Sequence, residues 1–393
     1  MSVPEGFAPV PLSLYVHVPW CVQKCPYCDF NSHAARGQIP EAEYVAALIA
    51  DLESALPLVW GRRVVSVFFG GGTPSLLSGQ SIETLLSAFH ARLPLIHGAE
   101  VTLEANPGTV EAEKFAAFRA AGVNRLSLGI QSFNPAHLRV LGRIHDDREA
   151  CRAIGIAARY FDNFNLDLMY GLPQQSHAEA LADLEQALEF APPHLSCYQL
   201  TLEPNTAFAA MPPELPESDV CADMQEAIEA RLADAGYGHY ETSAFARPGR
   251  QCKHNLNYWT FGDYLGIGAG AHGKLTVPGH EARSIRRQMR WKQPRQYLEK
   301  MAAGEPVQDE FTVSAEDLPF EFMMNALRLN QGIEARLFGE RTGLRLEDIE
   351  ATLSRAQAAG LLERDAERLA PTRLGQRFLN RLLELFMAES EGG

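Results

Sequence analysis

Short apolar runs alternate with longer amphipathic stretches along the first 245 residues of the chain. Six runs are rich in β-branched or aromatic residues and have the length of strands; they span 12–18, 64–69, 100–104, 125–129, 163–169 and 195–202. The stretches between them have helical spacing, near 41–56, 80–93, 111–121, 148–160, 175–190 and 218–235. Alternation of this kind is typical of βαβ units and a parallel sheet. The pattern predicts an α/β domain of six such units, as part of a barrel or as an open sheet.

The first and third predicted helices show where helices should end. In the first, Tyr44, Leu48 and Leu52 share one face, and Pro57 is expected to stop the helix because proline cannot continue the backbone ladder. Gly122 is the expected end of the third helix.

Almost every predicted strand carries, ends at or leads to polar or glycine residues near its carboxyl end. In chain order these are Cys21, Cys25 and Cys28, then Gly70–Thr73, Glu104, Gln131 and Asp167. The carboxyl ends of parallel strands meet at one rim, where α/β proteins place their active sites. This regularity favours a partial (β/α)6 barrel with its functional site at that rim.

The alternation fails after about residue 245. Residues 246–306 are rich in glycine, aromatic residues and arginine, and show few clear elements. A helical unit follows, with helices predicted at 315–329, 334–342, 346–359 and 372–388 and a hairpin at 361–370; Ser314 and Asp317 form a cap-like start. Because three helices precede the hairpin, the unit resembles a winged helix. We predict a core domain (1–243), a connecting region (244–308) and a small, mainly helical, winged-helix-like C-terminal domain (309–393).

Composition narrows the class of protein. The 393 residues include 35 basic and 49 acidic side chains, a formal charge of −14 that disfavours a general nucleic-acid binder. Seven cysteines are an odd number in a long chain and do not indicate a disulfide framework. No apolar run is long enough for a membrane span, and no charged start precedes an apolar run as in a signal peptide. The cytoplasm is therefore the expected compartment.

Three cysteines within eight residues form the strongest chemical signal. Cys21, Cys25 and Cys28 lie on one loop, where three thiolates can converge on one metal centre. A structural zinc ion would need a fourth ligand, for which His17 and His33 are the near candidates. A cluster of four irons and four sulfides held by three cysteines instead leaves one iron open to another ligand.

The spacing C-x3-C-x2-C, with Tyr27 just before the third cysteine, resembles the signature of the radical S-adenosylmethionine (SAM) family. The resemblance implies a partial (β/α)6 radical SAM barrel with a [4Fe-4S] cluster on Cys21, Cys25 and Cys28. It also implies that the amino and carboxylate groups of SAM chelate the open iron. An electron from the cluster can then cleave SAM to a 5′-deoxyadenosyl radical.

Longer segments resemble the coproporphyrinogen dehydrogenase group of that family, namely 124–133 and 167–173. By position, this resemblance implies a SAM site at Tyr15, Tyr27, Gly71, Gly72, Thr73, Glu104, Gln131, Arg143 and Asp167. The glycines would let the backbone approach the amino group of SAM, or they only form a tight turn. The two carboxylates suit ribose hydroxyls or the ammonium group. Gln131 and Arg143 suit the carboxylate or the adenosyl portion.

The chain differs from the dehydrogenases of that group at two points of its sequence. The position of their fourth cysteine is occupied by Phe30, and only about eleven residues precede Leu12, where they carry an extension. Both departures resemble the heme-chaperone branch, HemW. So does 252–259, which contains the H-N-x-x-Y-W pattern of that branch.

The resemblance to the heme-chaperone branch implies heme as cargo. His254 could supply an axial nitrogen to the iron, while Tyr258 and Trp259 could stack on or edge the macrocycle. The alternative is a surface loop with two core aromatics and a hydrogen-bonded histidine. Cys252 is either a second ligand or without a role here. Cys151, Cys197 and Cys221 are expected to be small core residues.

The sequence thus predicts a heme chaperone that binds heme and passes it to an acceptor protein of unknown identity, with the cluster and SAM assisting. The alternative is an oxygen-independent coproporphyrinogen III dehydrogenase, or another radical enzyme acting on a tetrapyrrole. Whether the chain is an enzyme stays open, as do its catalytic residues and its oligomeric state.

One short segment of this acidic chain is strongly basic. It contains Arg283, Arg286, Arg287, Arg290, Lys292 and Arg295 without an acid. Such a run could receive heme propionates, an acidic partner or the anionic lipids of a membrane surface. Alternatively it is a solvated face that pairs with Glu281 and Glu299.

Overall fold

The computed structural model describes residues 10–109, 111–278 and 283–387. Its strands are β1 (Leu12–Val18), β2 (Trp20–Cys21), β3 (His33–Ala34), β4 (Val64–Gly71), β5 (Leu95–Ala105), β6 (Arg125–Gln131), β7 (Phe164–Tyr170), β8 (His194–Gln199), β9 (Gly238–Glu241), β10 (Ala244–Ala246), β11 (Asp263–Ile267), β12 (His272–Pro278), β13 (Arg283–Arg290), β14 (Val307–Thr312), β15 (Ile333–Glu334), β16 (Leu362–Arg364) and β17 (Arg368–Pro371).

The α-helices of the same residues are α1 (Glu41–Val59), α2 (Gly79–Arg92), α3 (Ala112–Ala121), α4 (Pro135–Val140), α5 (Asp147–Tyr160), α6 (His177–Glu189), α7 (Ala207–Ala210), α8 (Ser218–Asp234), α9 (Lys253–Trp259), α10 (Pro294–Ala302), α11 (Leu318–Ala326), α12 (Arg336–Thr342), α13 (Glu350–Ala358), α14 (Arg373–Arg377) and α15 (Leu379–Glu384). Among them, none combines the length and the apolar composition needed to cross a bilayer.

Within the described residues, twelve strands form one mixed sheet, in the order β14-β13-β12-β11-β1-β4-β5-β6-β7-β8-β10-β9. The strands from β11 to β8 are parallel, and antiparallel strands continue the sheet on both flanks. All six predicted strands are present as β1 and β4–β8, with helices between them. The predicted α/β class with a parallel core is therefore confirmed.

Residues on β1 show how the sequence divides the two faces of the sheet. Leu12, Leu14, Val16 and Val18 are buried in the main hydrophobic core, which contains residues of the flanking helices. The residues between them face the other side, where the Oγ atoms of Ser13 and Ser66 lie 2.7 Å apart. This second face is polar, and it encloses the interior of the barrel.

The connecting region is more regular than its sequence indicated. Residues 246–306 contain α9, α10 and β11–β13, and β11 adds a seventh parallel strand beside β1. The pattern hides β13 because its alternate positions are charged rather than apolar, and Arg286 pairs with Glu310 on β14 at 3.4 Å. The predicted three-part division stays a prediction, and the sheet itself continues past both predicted boundaries, at β10 and β14.

Two helix ends differ from the predictions. The first helix runs through Pro57 to Val59, although proline at this position cannot donate a hydrogen bond to the carbonyl oxygen of Glu53. The predicted final helix is two short helices, α14 and α15, separated at Phe378. Gly122 does end α3, in the left-handed conformation that favours glycine.

The C-terminal unit has a hydrophobic core of its own. Phe322, Phe338, Leu353, Leu369 and Leu382 are buried in it. Helices α11–α13 precede the β16–β17 hairpin, and β15 joins this hairpin in a separate three-stranded sheet. This is the predicted order of a winged-helix-like unit. Leu256 and Trp259 of α9 pack against the same core and so connect it to the barrel.

A buried ion pair fixes the connecting region to the first helix. Arg290 on β13 donates from Nε to Asp51 Oδ1 of α1 at 2.8 Å, and at most 2% of either side chain is exposed. The second oxygen of Asp51 accepts from the Tyr297 hydroxyl and from the backbone N–H of Gly268. Buried charges need such full pairing, since an unpaired charge is strongly destabilising.

Replacing Asp51 with alanine tests this attachment. We expect Asp51→Ala to lower the free energy of unfolding by about 3–5 kcal/mol, because it leaves Arg290 buried without its carboxylate. The matched control is Glu53→Ala on the same helix, whose pair with Arg92 is half exposed; it should cost about 0–1 kcal/mol. Urea unfolding followed by circular dichroism measures both. Equal effects of the two substitutions would contradict the inference.

Candidate functional site

A cavity of about 660 Å³ lies at the carboxyl ends of the parallel strands. Its volume is in the range of pockets that hold small ligands or cofactors. Most of the predicted site residues line it together: Cys21, Cys25, Tyr27, Cys28, Gly71, Gly72, Thr73, Glu104, Gln131, Arg143 and Asp167. The prediction that strand ends converge on one rim is therefore confirmed by the geometry.

The three loop cysteines are free thiols on one wall of the cavity. Burial raises the pKa of Cys21 and of Cys28, and the neighbouring thiols add to it. The third thiol contacts Arg143, whose Nη1 donates toward Cys25 Sγ at 3.6 Å. Within the described residues, no three His, Cys, Asp or Glu side chains already form a complete ion-binding group.

A zinc site with His17 fits this arrangement poorly. The His17 ring uses both nitrogens, with Nδ1 3.0 Å from the Tyr15 hydroxyl and Nε2 2.9 Å from the carbonyl oxygen of Asn31. His33 is the other near candidate, and its Nε2 is buried without a hydrogen-bond partner, so zinc with His33 stays an alternative to a cluster with one open iron.

Asn31, which the sequence analysis did not single out, anchors the cysteine loop. Its side-chain amide donates to the carbonyl oxygens of Ala269 at 3.0 Å and Lys292 at 2.9 Å. Gly270 has a φ of +80°, and a Cβ there would lie 2.1 Å from the Asn31 amide nitrogen. The connecting region therefore positions the loop, and only its three-dimensional course could show this.

The glycines after β4 are required by packing alone. Gly71 has a φ of +110°, and a Cβ there would lie 2.5 Å from the His17 ring. A Cβ on Gly72 would lie 2.6 Å from the carbonyl oxygen of Trp20. Larger residues would thus displace β1 and the start of the cysteine loop. Contact between these glycines and a ligand stays a prediction.

Two carboxylates face each other across the cavity wall. Glu104 accepts from the backbone N–H of Gly71 at 3.2 Å, and Asp167 accepts from Ser127 and Asn165. Burial, together with the charge of Asp167, raises the pKa of Glu104 to about 8. Near neutral pH Glu104 is therefore largely protonated, and a cationic ligand would favour its ionisation.

Gln131 occupies a strained position at the end of β6. Its φ is +70°, and the pairing of β6 with β7 shifts register between Gly129 and Gln131. Non-glycine residues rarely adopt this conformation, and such strain clusters at functional sites. Arg143 lies on the same wall, where its Nη2 donates to the Gly129 carbonyl oxygen at 2.7 Å.

Four predicted site residues do not line the cavity: Tyr15, His254, Tyr258 and Trp259. Tyr15 is inside the barrel, beside His17 and stacked on Phe68. Tyr258 stacks on Tyr264 at 4.1 Å between ring centroids. Their roles toward SAM or heme stay predictions.

His254 is buried at the opposite end of the barrel, with 3% of its surface exposed. Its Nδ1 lies 3.0 Å from Ser66 Oγ, and its ring stacks on Phe68. Burial, with the nearby charge of Arg125, lowers its pKa to about 3, so the ring is neutral. In this conformation a heme iron could reach His254 only if α9 moved away.

Helix α9 closes the amino end of the parallel strands. Glu100 accepts hydrogen bonds from the Cys252 thiol and from the backbone N–H groups of Lys253 and His254. Asn257 donates to Ser13 Oγ at 2.9 Å. The H-N-x-x-Y-W motif thus has the hydrogen-bonded histidine of the structural alternative, but it lies on a helix with His254 and Asn257 buried rather than on a surface loop.

Acidic side chains pair with four members of the basic run, and one of these pairs is buried. Arg290 pairs with Asp51, Arg287 with Glu321, Arg286 with Glu310, and Arg295 with Glu299 as predicted. The predicted partner Glu281 and the side chain of Arg283 lie outside the described residues. The pairings favour the structural interpretation of this run over an anion-binding face.

Comparison with known proteins identifies two family models in the chain. The radical SAM superfamily matches residues 15–187, and the HemN C-terminal domain matches residues 313–378. The chain is 52% identical to the heme chaperone HemW of Escherichia coli K12 over 380 residues, which cover 96% of this chain and 99% of that protein. It is 50% identical to the heme chaperone HemW of Haemophilus influenzae over 384 residues, covering 96% and 98%.

The solved structure of coproporphyrinogen III oxidase (HemN) from Escherichia coli, a radical SAM enzyme, is also similar. It superposes with a TM-score of 0.81 at 26% identity, covering 96% of this chain and 90% of that one. The likeness extends over both the barrel and the C-terminal unit.

The raised pKa of Glu104 predicts a pH dependence of stability. Between pH 4.5, the ordinary pKa of a glutamate, and about pH 8, Glu104 stays protonated in the folded chain but is ionised in the unfolded chain. Unfolding is therefore favoured as the pH rises, by at most about 1.4 kcal/mol per pH unit. We expect the unfolding free energy of the wild type to fall more steeply from pH 5 to 8 than that of Glu104→Gln. Urea unfolding of the cluster-free protein at each pH measures the difference.

The control is Glu113→Gln, which changes an exposed carboxyl on α3 and should keep the wild-type slope. Parallel pH profiles for the wild type and Glu104→Gln would show that Glu104 ionises normally in the folded chain.

Proposed function

Because the chain belongs to the HemW family of the radical SAM superfamily, we propose that it is a heme chaperone, which binds heme and transfers it to an acceptor protein. The observation that carries this proposal is the 52% identity to a heme chaperone over nearly the full length of both proteins. We further propose that it works with a [4Fe-4S] cluster and SAM, and that its acceptor is a heme protein.

The cavity contains a donor set that suits both cofactors. Cys21, Cys25 and Cys28 would hold the cluster, and their free thiols line one wall. When bound, the cluster and SAM supply reducing power and, on cleavage of SAM, a route to radical chemistry. Glu104 and Asp167 would bind hydroxyl or ammonium groups of SAM, and Arg143 would orient Cys25 through its hydrogen bond to Sγ.

Phe30 favours a chaperone over the coproporphyrinogen dehydrogenase alternative. It lines the cavity with 59% of its surface exposed, at the position where the dehydrogenases carry a fourth cysteine. The dehydrogenase alternative is also tested below, because the fold is similar to that of HemN, a coproporphyrinogen III oxidase. Seven free cysteines support a reducing compartment, so we place the function in the cytoplasm.

The cluster proposal predicts the iron and sulfide content of cysteine variants. Reconstituted wild type should contain about four irons and four sulfides per chain. We expect Cys28→Ser to lose most of both, because serine is a poor ligand for iron in such clusters. The control Cys221→Ser removes a buried thiol of α8 and should keep the full content. Equal iron in the two variants, or zinc in place of iron in the wild type, would contradict the assignment.

Hemin titration separates the chaperone from the alternative. We expect the reconstituted wild type to bind hemin saturably, read from the Soret absorbance, and to release it to an apo-hemoprotein. Anaerobic incubation with coproporphyrinogen III, SAM and a reductant should give no decarboxylated product. Absence of saturable hemin binding would reject the chaperone, and decarboxylated product would support the dehydrogenase.

A further inference from the structure

Arg328 is the one contribution of the C-terminal unit to the cavity among the described residues. It follows α11, and its backbone carbonyl accepts from the N–H of Thr242, next to β9, at 3.0 Å. All residues predicted for the cluster and SAM lie between 15 and 187, the segment matched by the radical SAM superfamily. Arg328 lies instead in the segment matched by the HemN C-terminal domain. We therefore ask whether Arg328 binds a ligand of the cavity other than the cluster and SAM.

The guanidinium of Arg328 has unused donors. Its Nε is buried without a hydrogen-bond partner, and Nη2 forms an ion pair with Glu241 Oε2 at 3.8 Å, which is beyond hydrogen-bond distance. About a third of the side chain is exposed. The other guanidinium of the cavity, Arg143, is already engaged by Cys25 and Gly129. Arg328 is thus available to a carboxylate that enters the cavity.

The aromatic ring of Trp259 packs against the guanidinium of Arg328. The guanidinium carbon lies 4.4 Å from the centroid of the Trp259 ring, a favourable cation–π distance. Trp259 is the last residue of α9, which is fixed to the barrel by Glu100 and Ser13. The motif residue therefore acts on the cavity through Arg328 although it does not line it.

Large apolar surfaces lie in the same cavity. Phe30 and Tyr198 line it with 59% and 40% of their surfaces exposed, and the largely buried Met169 and Leu200 contribute further apolar lining. A ligand that suits these walls has a flat apolar body and at least one carboxylate. Heme, with its macrocycle and two propionates, is such a ligand.

Resting on the proposed chaperone function, we propose that Arg328 binds a propionate carboxylate of the heme cargo in this cavity. Trp259 is then a positioning residue that holds the guanidinium in place. Arginine suits this role because its planar fork can donate two parallel hydrogen bonds to one carboxylate. Cargo and SAM would share one cavity, and the C-terminal unit would select the cargo.

The test compares hemin with hemin dimethyl ester, in which both carboxylates are blocked. Full-length wild type, Arg328→Gln, Arg328→Lys and Arg377→Gln are titrated with each compound in the same dilute detergent, and the dissociation constants are read from the Soret band. Arg377 is the control, since it pairs with Glu226 on the surface and is not among the cavity-lining residues.

We expect Arg328→Gln to weaken hemin binding at least about tenfold, the loss typical of a charge-assisted hydrogen bond. Arg328→Lys should lose less, and Arg377→Gln nothing. The dimethyl ester should bind the wild type about as weakly as hemin binds Arg328→Gln, with no further loss in that variant. Trp259→Leu should weaken hemin binding but not ester binding, and Trp259→Phe should restore part of the affinity.

Three results would overturn the assignment of Arg328. These are unchanged hemin affinity in Arg328→Gln, equal losses for hemin and its ester, and a loss of SAM affinity without a loss of hemin affinity. If Arg328→Gln fails to fold, equal affinity of the wild type for hemin and its ester is decisive against it. No saturable hemin binding by the wild type would instead reject the chaperone function itself.

Discussion

The buried carboxylate of Glu100 is the group on which the closed end of the barrel depends. A charge inside a barrel must be paired or fully hydrogen-bonded, because desolvation is otherwise too costly. Here the start of α9 supplies three donors, from Cys252, Lys253 and His254, and Arg125 contributes a nearby positive charge. This pairing fixes α9 across the amino end of the strands, and the open end is left for ligands.

From this fixed helix the rest of the architecture follows. Asn257 bonds to Ser13 and to the carbonyl oxygen of Asp263, so it holds β1 and β11 together. The other face of α9 packs on the core of the C-terminal unit. At the carboxyl end, the segment after β11 reaches Asn31 and holds the cysteine loop. The connecting region therefore shapes both ends of the barrel, although it contributes no lining residue among those described.

The sequence predicts the parallel core well because its strands are buried and apolar, as in β1 with Leu12, Leu14 and Val16. It misses β11, which is only five residues long, and β13, whose charged positions are neutralised by distant partners, as Arg290 is by Asp51. Local patterns predict the cysteines, Glu104 and Asp167, because the spacing of the loop identifies the cysteines and the two carboxylates lie on the apolar strands β5 and β7. Asn31, Tyr198 and Arg328 could not be predicted, because their roles arise from contacts between segments far apart in the chain.

The H-N-x-x-Y-W motif contacts both the interior of the barrel and the C-terminal unit. Inside the barrel, His254 hydrogen-bonds to Ser66 and Asn257 to Ser13. These bonds require polar side chains at two fixed positions on one face of the helix. Trp259 faces the C-terminal unit and supports Arg328, which requires a broad aromatic ring. A single seven-residue helix thus joins the closed end of the barrel to a guanidinium in its open cavity. The hydrogen bonds and ring contacts of this connection account for the residue types His254, Asn257 and Trp259 in the closed conformation.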